Sequence, residues 1–593
     1  MASVLLSDLT AASAARSQKT DRERTVSADV WYIPVNRSRV VMYAPFHGIS
    51  TLVNRAMAAA VSVCLEDASA PIPAGAPWIE ELRKEGNRPD RKCGVPDPCF
   101  LGLVPTRDCM MHCAYCDFAA LQAHPVMSFD LIRRAVDGYA EVMRKSGAAD
   151  WNIHFFGGEP FAAFKEVFFA VNYARRKAEE AGVPVRFEVT TNGFYSEEKA
   201  RWIAENTDTV VLSLDGFPDS QNRQRPGSNG RESFQTVCRS ADIFSKGPCE
   251  LIIRSCISAE NVEELAAWAA FLADRWTVGA VCLEPMIESA MSRKNGLMPP
   301  DPLVFARQWA SAQRILKAKQ IPLVYSSGDI SECRNSLCPA GRDALIVDPE
   351  GQIGSCWQLA ENRQTDGSGR YFGYVSSENM RIDEELLEQQ RATSEENRES
   401  CRGCFCYAHC AGGCVLTRER NGDFCCMTKI LTLWQLLDQL GCRNRSDEIL
   451  ENEVYRAWVT KQTDFRDAGL ECPDTFPMVL SPYGTESWNR YHSPKPKELP
   501  PLPSDSAQGW FRDGSRIIIA DTSGLNETDR GCSAADAISE QQKYIPYCGS
   551  SCSYDNFVQV LEGDESLKFQ LDHSGMNKSD IEMVWSALRE GSN

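Results

Sequence analysis

The chain has 593 residues, of which 24% are charged and 43% hydrophobic, an ordinary composition for a soluble globular protein. Its net charge of −18 makes nucleic acid and anionic membrane surfaces poor partners. No apolar run reaches the ~18 residues of a membrane span, and the N-terminus lacks the continuous apolar core of a secretory signal. The 25 cysteines therefore predict metal binding in a reducing, cytoplasmic compartment and not a set of disulfides.

The N-terminal part is predicted to be a disordered tail (1–25) followed by a small α+β domain (26–92). Residues 29–34 and 39–44 are rich in β-branched and aromatic side chains and predict two strands. Apolar spacing predicts a helix over 50–64 and a shorter helix over 77–83. This order resembles the small winged-helix domains that recognise leader peptides of ribosomally made natural products. The resemblance implies that a leader peptide adds a strand to the edge of the small sheet; the alternative is a plain cap on the next domain.

From residue 93 to 320 the chain alternates strands and helices with a period of about 30 residues, as in repeated βα units. The predicted strands are 100–105, 151–156, 184–190, 209–214, 249–255 and 278–284. The predicted helices are 127–146, 161–180, 196–206, 233–245, 262–276 and 301–319, and Asn261 with Glu264 is predicted to form a capping box. Alternation of this kind implies parallel strands with right-handed crossovers. The fold class is therefore α/β, a partial (β/α)6 TIM-like barrel with its chemistry at the C-terminal strand ends.

Three cysteines, Cys109, Cys113 and Cys116, follow the first barrel strand at the spacing C-x3-C-x2-C. Thiolates are the usual ligands of iron–sulfur clusters, and three ligands on a four-iron cube leave one iron open to a small molecule. A structural zinc ion would want a fourth ligand close by, for which His112 is the candidate. The spacing resembles the cluster motif of the radical S-adenosylmethionine (SAM) enzymes. That resemblance implies a [4Fe-4S] cluster whose open iron binds the amino and carboxylate groups of SAM.

Further motifs of that family follow the next strands in the family's order. Gly157-Gly158-Glu159-Pro160 ends the second strand, where two glycines allow close backbone approach. The resemblance implies that Glu159 accepts from the SAM ammonium and that Ser213 and Asp215 contact ribose and methionine. Arg254 would reach the carboxylate. The complete set of implied SAM contacts is Tyr115, Gly157, Gly158, Glu159, Asn192, Ser213, Asp215 and Arg254.

A second cysteine-rich region spans residues 321–445 and resembles the SPASM domains, which extend radical SAM enzymes and hold two auxiliary [4Fe-4S] clusters. The resemblance implies two ligand sets: Cys333, Cys338, Cys356 and Cys414 for the first cluster, and Cys401, Cys404, Cys410 and either Cys425 or Cys426 for the second. Cys425 is preferred because Lys429 follows it at the family's spacing. Cys406 is predicted not to be a ligand. A zinc ribbon is the alternative for residues 401–414, and the turn at 348–351 is expected to bring Cys338 and Cys356 together.

Residues 446–593 form a C-terminal extension to which the sequence assigns no role. It contains a proline-rich linker (494–503), a strand-like run (516–520), three cysteines (Cys532, Cys548 and Cys552) and a final helix (578–588). A metal site at these three cysteines would lack an obvious fourth ligand.

Taken together, the resemblances imply a peptide maturase in which SAM cleavage yields a 5′-deoxyadenosyl radical that takes hydrogen from a ribosomally made precursor peptide. The product would carry a cross-link or an oxidation, and the electrons would come from a flavodoxin- or ferredoxin-like donor. One alternative is an anaerobic sulfatase maturase, which makes formylglycine; those enzymes carry an acid directly after the cysteine that is Cys356 here, where this chain has Trp357. Another alternative is a non-catalytic electron-transfer protein, which would not need the Gly157–Glu159 motif. No catalytic acid or base is identified by the sequence.

Overall fold

A computed structural model describes residues 29–73, 76–89, 98–117, 125–338, 344–357, 371–414, 424–442, 446, 449–473, 508–513, 516–521, 576 and 578–590. The predicted tail, the proline-rich linker and the last three cysteines lie outside these residues. Across the described ranges the strands form one five-stranded and one eleven-stranded sheet. Within the same ranges, no helix has the length and apolar character needed to cross a bilayer.

The five-stranded sheet begins with the N-terminal strands. Its first elements are β1 (Trp31–Pro34), β2 (Arg39–Ala44), β3 (Ile49–Asn54), α1 (Arg55–Glu66) and α2 (Ile79–Leu82). The helix predicted over 50–64 was wrong at its start, because β3 pairs antiparallel with β2 along its whole length. The helix begins at Arg55, where the Asn54 side chain accepts a hydrogen bond from the backbone N–H of Met57 (2.8 Å). β3 is buried on both faces, so its sequence lacks the alternation that marks a half-exposed strand.

This small sheet lies between two helices on one face and the cysteine-rich region on the other. One face packs on α1 and α2 through residues such as Met42 and Val61. On the other face, the Trp31 indole donates to the carbonyl of Arg402 (3.1 Å), and the Tyr43 hydroxyl hydrogen-bonds to Nε2 of His409. The N-terminal sheet is thus packed directly on the cysteine-rich region.

A hairpin from the C-terminal extension completes the same sheet. Strands β15 (Gln508–Asp513) and β16 (Arg516–Asp521) pair antiparallel with each other. β16 then pairs parallel with β3, in the register Ile517–Ile49, Ile518–Ser50 and Ile519–Thr51. The strand predicted over 516–520 forms, and it covers the outer edge of β3 in the order β1-β2-β3-β16-β15.

The eleven-stranded sheet contains the predicted barrel strands. They are β4 (Leu101–Leu103), β5 (Trp151–Phe155), β6 (Val185–Thr191), β7 (Thr209–Ser213), β8 (Glu250–Ile257) and β9 (Ala280–Pro285), followed by β10 (Leu323–Val324). Each strand from β4 to β10 pairs parallel with the next. This confirms the predicted parallel α/β arrangement and fits a partial TIM barrel.

Helices cover the outer face of the parallel strands. They are α3 (Phe129–Ser146), α4 (Phe164–Ala181), α5 (Glu197–Asn206), α6 (Pro218–Gln224), α7 (Phe234–Phe244), α8 (Leu265–Arg275), α9 (Ala290–Lys294) and α10 (Pro302–Ala318). Large buried side chains, including Phe168 and Trp268, fill the layer between strands and helices. The predicted capping box at Asn261 and Glu264 was wrong. The Asn261 amide instead donates to the carbonyl of Asp215 (2.7 Å) and accepts from the N–H of Ser258 (2.7 Å).

The cysteine-rich region extends the barrel sheet. β11 (Leu345–Val347) pairs parallel with β4, and β12 (Gln352–Gly354), β13 (Tyr371–Val375) and β14 (Met380–Ile382) follow in antiparallel order. The remaining helices are α11 (Glu384–Glu399), α12 (Tyr407–Cys410), α13 (Phe424–Gln439), α14 (Glu453–Lys461) and α15 (Lys578–Glu590). α15 packs on α4, where Lys165 pairs with Asp580 (3.1 Å). The cysteine-rich region and the barrel therefore share one sheet.

Candidate active site

The three-cysteine loop directly follows β4 and is held by a second backbone segment. The N–H of Ala114 donates to the carbonyl of Gln224 (2.8 Å), and the N–H of His112 donates to that of Pro226 (2.9 Å). In the reverse direction, the N–H of Ser228 donates to the carbonyl of Met110 (2.8 Å). We call residues 224–228, which follow α6, the clamp segment. It fixes the loop from a part of the chain that lies more than a hundred residues away in sequence.

The two glycines after β5 hold the other side of the loop. The N–H of Gly158 donates to the carbonyl of Thr106 (3.1 Å), and the N–H of Glu159 donates to that of Asp108 (2.7 Å). A Cβ atom at Gly158 would lie 2.2 Å from the Asp108 carbonyl oxygen, and Gly157 has a φ of +146° that side chains disfavour. Close backbone approach, which the motif predicts for SAM, is made here to the residues just before Cys109.

Glu159 joins the glycine motif to the end of β6. Its buried carboxylate accepts from the N–H of Asn192 (2.8 Å) and the hydroxyl of Thr191 (2.8 Å), and also caps the following helical turn at Phe161. Burial raises the pKa of Glu159 to about 7, although these hydrogen bonds oppose the shift. Contact with the SAM ammonium stays a prediction.

Asn192 reaches the first cysteine. Its side-chain amide lies 3.5 Å from Sγ of Cys109, and the N–H of Met111 donates to the same sulfur (3.4 Å). Hydrogen bonds to sulfur are among the factors that tune iron–sulfur ligands. Two predicted site residues, Cys109 and Asn192, are therefore brought together.

The thiols fit a cluster by their chemistry. Burial raises the pKa of Cys109 to about 12 and that of Cys113 well above its ordinary value, and neighbouring thiols add to both shifts. A raised pKa favours the protonated thiols of Cys109 and Cys113, and a bound metal would replace those protons, since a coordinating thiol is deprotonated outright. No three of the described Cys, His, Asp and Glu side chains converge at single-ion distances. The residues that would hold the SAM-binding cluster are Cys109, Cys113 and Cys116.

Tyr115 and Asp215 form a buried polar group on the far side of the loop. The Tyr115 hydroxyl donates to Oδ2 of Asp215 (2.7 Å), and Oδ1 accepts from the N–H of Cys256 (3.0 Å). The Gln224 amide also donates to Asp215 (3.2 Å), and Nε of Arg225 lies 2.9 Å from its carboxylate. The sequence did not single out Gln224 and Arg225; their only local signal is the position just before Pro226-Gly227.

Ser213 and Arg254 are neighbours at the ends of β7 and β8. Their Cα atoms are register partners, and the N–H of Leu214 donates to the carbonyl of Arg254 (3.1 Å). Ser213 is buried and Arg254 is exposed. Ser213 ends β7 and Arg254 lies beside it within β8, and their contact with SAM stays a prediction.

The second cysteine group is compact around α12. The N–H of Cys404 donates to the carbonyl of Cys401 (2.8 Å), and that of Cys410 donates to Cys406 (2.9 Å). A hydrogen bond with Cys406, aided by Lys429, lowers the pKa of Cys404 to about 7 against its burial. Cys401, Cys404 and Cys410 thus share one short stretch, with Cys406 buried beside them.

The first auxiliary set is more dispersed. Cys333 lies beside α12, because the N–H of Arg334 donates to the carbonyl of Ala408 (2.8 Å). Cys338 follows Ser336, whose hydroxyl donates to the Cys338 carbonyl (2.8 Å), and Cys356 follows β12. Cys414 follows the α12 turn, and Cys425 and Cys426 lie in the first turn of α13. The assignment of these cysteines to two clusters stays a prediction.

Trp357, immediately after Cys356, lies against the barrel. Its ring stacks parallel to Phe100 (centroids 5.9 Å apart) and contacts Phe156 (5.0 Å), which precedes Gly157. Gly102 on β4 leaves room for the indole, since a Cβ there would lie 2.6 Å from it. The position that holds an acid in sulfatase maturases therefore holds an aromatic ring beside the glycine motif.

Comparison with known families identifies the barrel. Residues 103–272 match the sequence model of the radical SAM superfamily, and this span contains the cysteine loop and every predicted SAM contact. Residues 103–272 of the chain are a radical SAM domain.

Maturating enzymes are among the relatives of this chain. A cysteine-type anaerobic sulfatase-maturating enzyme of Clostridium perfringens (strain 13 / Type A) is 23% identical over 356 residues, which cover 55% of this chain and 91% of the relative. The mycofactocin maturase MftC of Mycobacterium ulcerans is 26% identical over 345 residues, or 56% of this chain and 86% of the relative. The solved structure of native anSMEcpe with bound AdoMet is 17% identical and covers 59% of this chain and 99% of its own, with a TM-score of 0.45.

Proposed function

We propose that this protein is a radical SAM/SPASM maturase of a ribosomally made precursor peptide, on which it forms a cross-link or an oxidised residue. The observation that carries the proposal is the convergence of Gly158, Asn192 and the clamp segment on one three-cysteine loop. When bound, the cluster and SAM supply a 5′-deoxyadenosyl radical that takes a hydrogen atom from a substrate carbon. The chain's own residues hold the loop, orient SAM and keep water from the open end of the barrel.

The relatives support a peptide or protein substrate. Both curated relatives described above are named for maturation, one of a sulfatase and one of mycofactocin. The cysteine-rich region, packed between the N-terminal sheet and the barrel, is proposed to hold the two auxiliary clusters through the ligand sets given above. A flavodoxin- or ferredoxin-like protein is the proposed source of electrons.

Sulfatase maturation is the second candidate, favoured by the relative from Clostridium perfringens. The environment of Trp357 argues against it. A carboxylate after Cys356 would be available to take a proton from the substrate, whereas the indole here stacks on Phe100, contacts Phe156 and has no basic group. We therefore prefer a precursor peptide.

The test of the proposed function is anaerobic reconstitution with iron and sulfide, followed by SAM and a reductant. The expected result is 5′-deoxyadenosine, together with about twelve iron atoms per chain if three four-iron clusters bind. Absence of 5′-deoxyadenosine from the reconstituted protein would reject the enzyme and leave an electron-transfer role. About four iron atoms per chain would remove both auxiliary clusters from the proposal.

Incubation with a sulfatase peptide and with short peptides encoded beside the gene separates the two substrate classes.

The N-terminal sheet is proposed to bind the leader of the precursor by strand addition. Among the N-terminal strands, β3 has β2 on its inner side, and its outer side is the edge that a leader would use in place of the C-terminal hairpin. That edge is paired with β16 through three residues, so a leader would have to displace the hairpin. The hairpin is short, and each hydrogen bond makes a net contribution of only about 0.5–1.5 kcal/mol to stability. A leader that forms the same number of bonds could therefore replace it.

Replacing residues 508–521 with a flexible Gly/Ser linker of equal length is expected to speed amide hydrogen exchange at Ile49–Thr51 by about tenfold or more, because backbone groups lose their ladder partners. Exchange at Arg39–Ala44, which pairs with the inner side of β3, serves as the internal control and should change little. A precursor peptide that binds the edge should restore protection in the linker variant. Unchanged exchange at Ile49–Thr51 would show that the pairing does not persist in solution.

A further inference from the structure

Arg225 is a largely buried cation beside a proposed cluster ligand. It lies in the clamp segment, with Nη1 4.0 Å from Sγ of Cys113. Its guanidinium also lies over the Tyr115 ring, 5.4 Å from the centroid, and pairs with Asp215 (2.9 Å). Its side chain is 13% exposed. A charge held this close to a sulfur, and away from water, acts strongly on that sulfur.

The carboxylate of Asp215 does not cancel this charge at the sulfur. Nη1 of Arg225 is the nitrogen 4.0 Å from Sγ of Cys113, whereas Nε is the nitrogen 2.9 Å from the Asp215 carboxylate, so the two contacts use different sides of one guanidinium. Asp215 also accepts hydrogen bonds from Tyr115, Gln224 and the N–H of Cys256, so its negative charge is shared among three donors besides Arg225. The carboxylate thus anchors the guanidinium while the guanidinium faces the thiol.

We propose that Arg225 is a positioning residue that raises the reduction potential of the cluster held by Cys109, Cys113 and Cys116. This inference rests on the cluster of the proposed function. Reduction adds one negative charge to the cluster, and a fixed cation near a ligand sulfur stabilises that charge. Arg225 is held close to the loop, because the backbone carbonyls of its neighbours Gln224 and Pro226 accept hydrogen bonds from the cysteine loop.

The test compares Arg225→Met, Arg225→Lys and Arg223→Met in the full-length, anaerobically reconstituted protein. Arg223 is the matched control: it lies two residues away at the end of α6, is 58% exposed and pairs with Glu260. A redox titration with mediators follows the spectroscopic signal of this cluster, recognised by its change when SAM is added. Iron content is measured on the same samples.

With Arg225→Met, the ratio of reduced to oxidised cluster at the wild-type midpoint potential is expected to fall about tenfold, which is a shift of about 59 mV for a one-electron couple. Arg225→Lys should shift less, because it keeps the charge but loses the planar fork. Arg223→Met should titrate as the wild type does. A wild-type midpoint in the Arg225→Met cluster would overturn the inference.

Arg225→Met leaves the buried Asp215 carboxylate without its cation, which can unfold the site and prevent cluster binding. A second variant controls for this effect. The double variant Arg225→Met/Asp215→Asn removes both charges, and its midpoint should still fall below that of the wild type. A midpoint equal to the wild type, or to that of Arg223→Met, would reject a charge effect. If the wild-type chain itself takes up no SAM-responsive cluster, the proposed function fails and not this inference alone.

Discussion

Cys113→Ala is expected to abolish SAM cleavage. The substituted site keeps two of its three thiols, which is too few to hold a four-iron cluster with one iron open to SAM. The radical chemistry depends on that cofactor. Production of 5′-deoxyadenosine should fall below detection, and iron should drop by about four atoms per chain. Both are measured after anaerobic reconstitution with reductant and SAM.

The matched control for this variant is Cys238→Ala. Cys238 is also a buried thiol, but it lies on α7 within the layer between helices and strands, away from the cysteine loop. Its loss should leave iron content and SAM cleavage near wild-type values, at a packing cost of about 1 kcal/mol. SAM cleavage that survives in Cys113→Ala would refute the assignment of this loop as the cluster site.

Gly158→Ala has the second large expected effect. Its new methyl group would overlap backbone oxygens, 2.2 Å from that of Asp108 and 2.5 Å from that of Arg107. Backbone cannot swing aside as a flexible side chain can, so the cysteine loop must move away from the end of β5. A displacement of about 1 Å can cost about 100-fold in rate, and we expect a loss of SAM cleavage of that order.

Gly147→Ala supplies the comparison for Gly158→Ala. Gly147 ends α3 with a φ of +72°, and no atom lies within 4 Å of the place that a Cβ would take, so alanine there meets backbone strain of roughly 1–2 kcal/mol but no collision. This variant should be somewhat less stable yet bind a full complement of iron and cleave SAM normally. Equal activity losses in the two alanine variants would mean that general destabilisation, and not the position of the loop, explains the effect.

The barrel and its cysteine motif were predictable because their signals are local. Repeated βα units give a regular spacing of apolar runs, and C-x3-C-x2-C is complete within eight residues. β3 was mistaken for helix because both of its faces are buried, which removes the alternation of a strand. Asn261 met the sequence rule for a helix cap, but its Oδ1 accepts from the N–H of Ser258, which precedes it, and its Nδ2 donates to the carbonyl of Asp215.

Contacts between distant segments explain what the sequence missed. Arg225 meets Cys113 only because the clamp segment folds back on the loop, and nothing in the residues around Arg225 encodes that distance. β16 was predicted as a strand, but its partner β3 lies more than 460 residues earlier, and strand pairing over such separations leaves no short pattern. The position of Trp357 against Gly102 likewise depends on the parallel pairing of β11 with β4.

The double-sided packing of the N-terminal sheet bears on how the protein can be divided for experiments. A boundary near residue 92 looks like a place to cut, but Trp31 and Tyr43 find their partners at Arg402 and His409. An isolated N-terminal fragment would present that apolar face to water, and the shortened enzyme would lose the surface that supports its own cysteine-rich turn. Residues 1–92 and 93–593 expressed separately should therefore be poorly folded and aggregate. Co-expression should let the two fragments associate as a split protein.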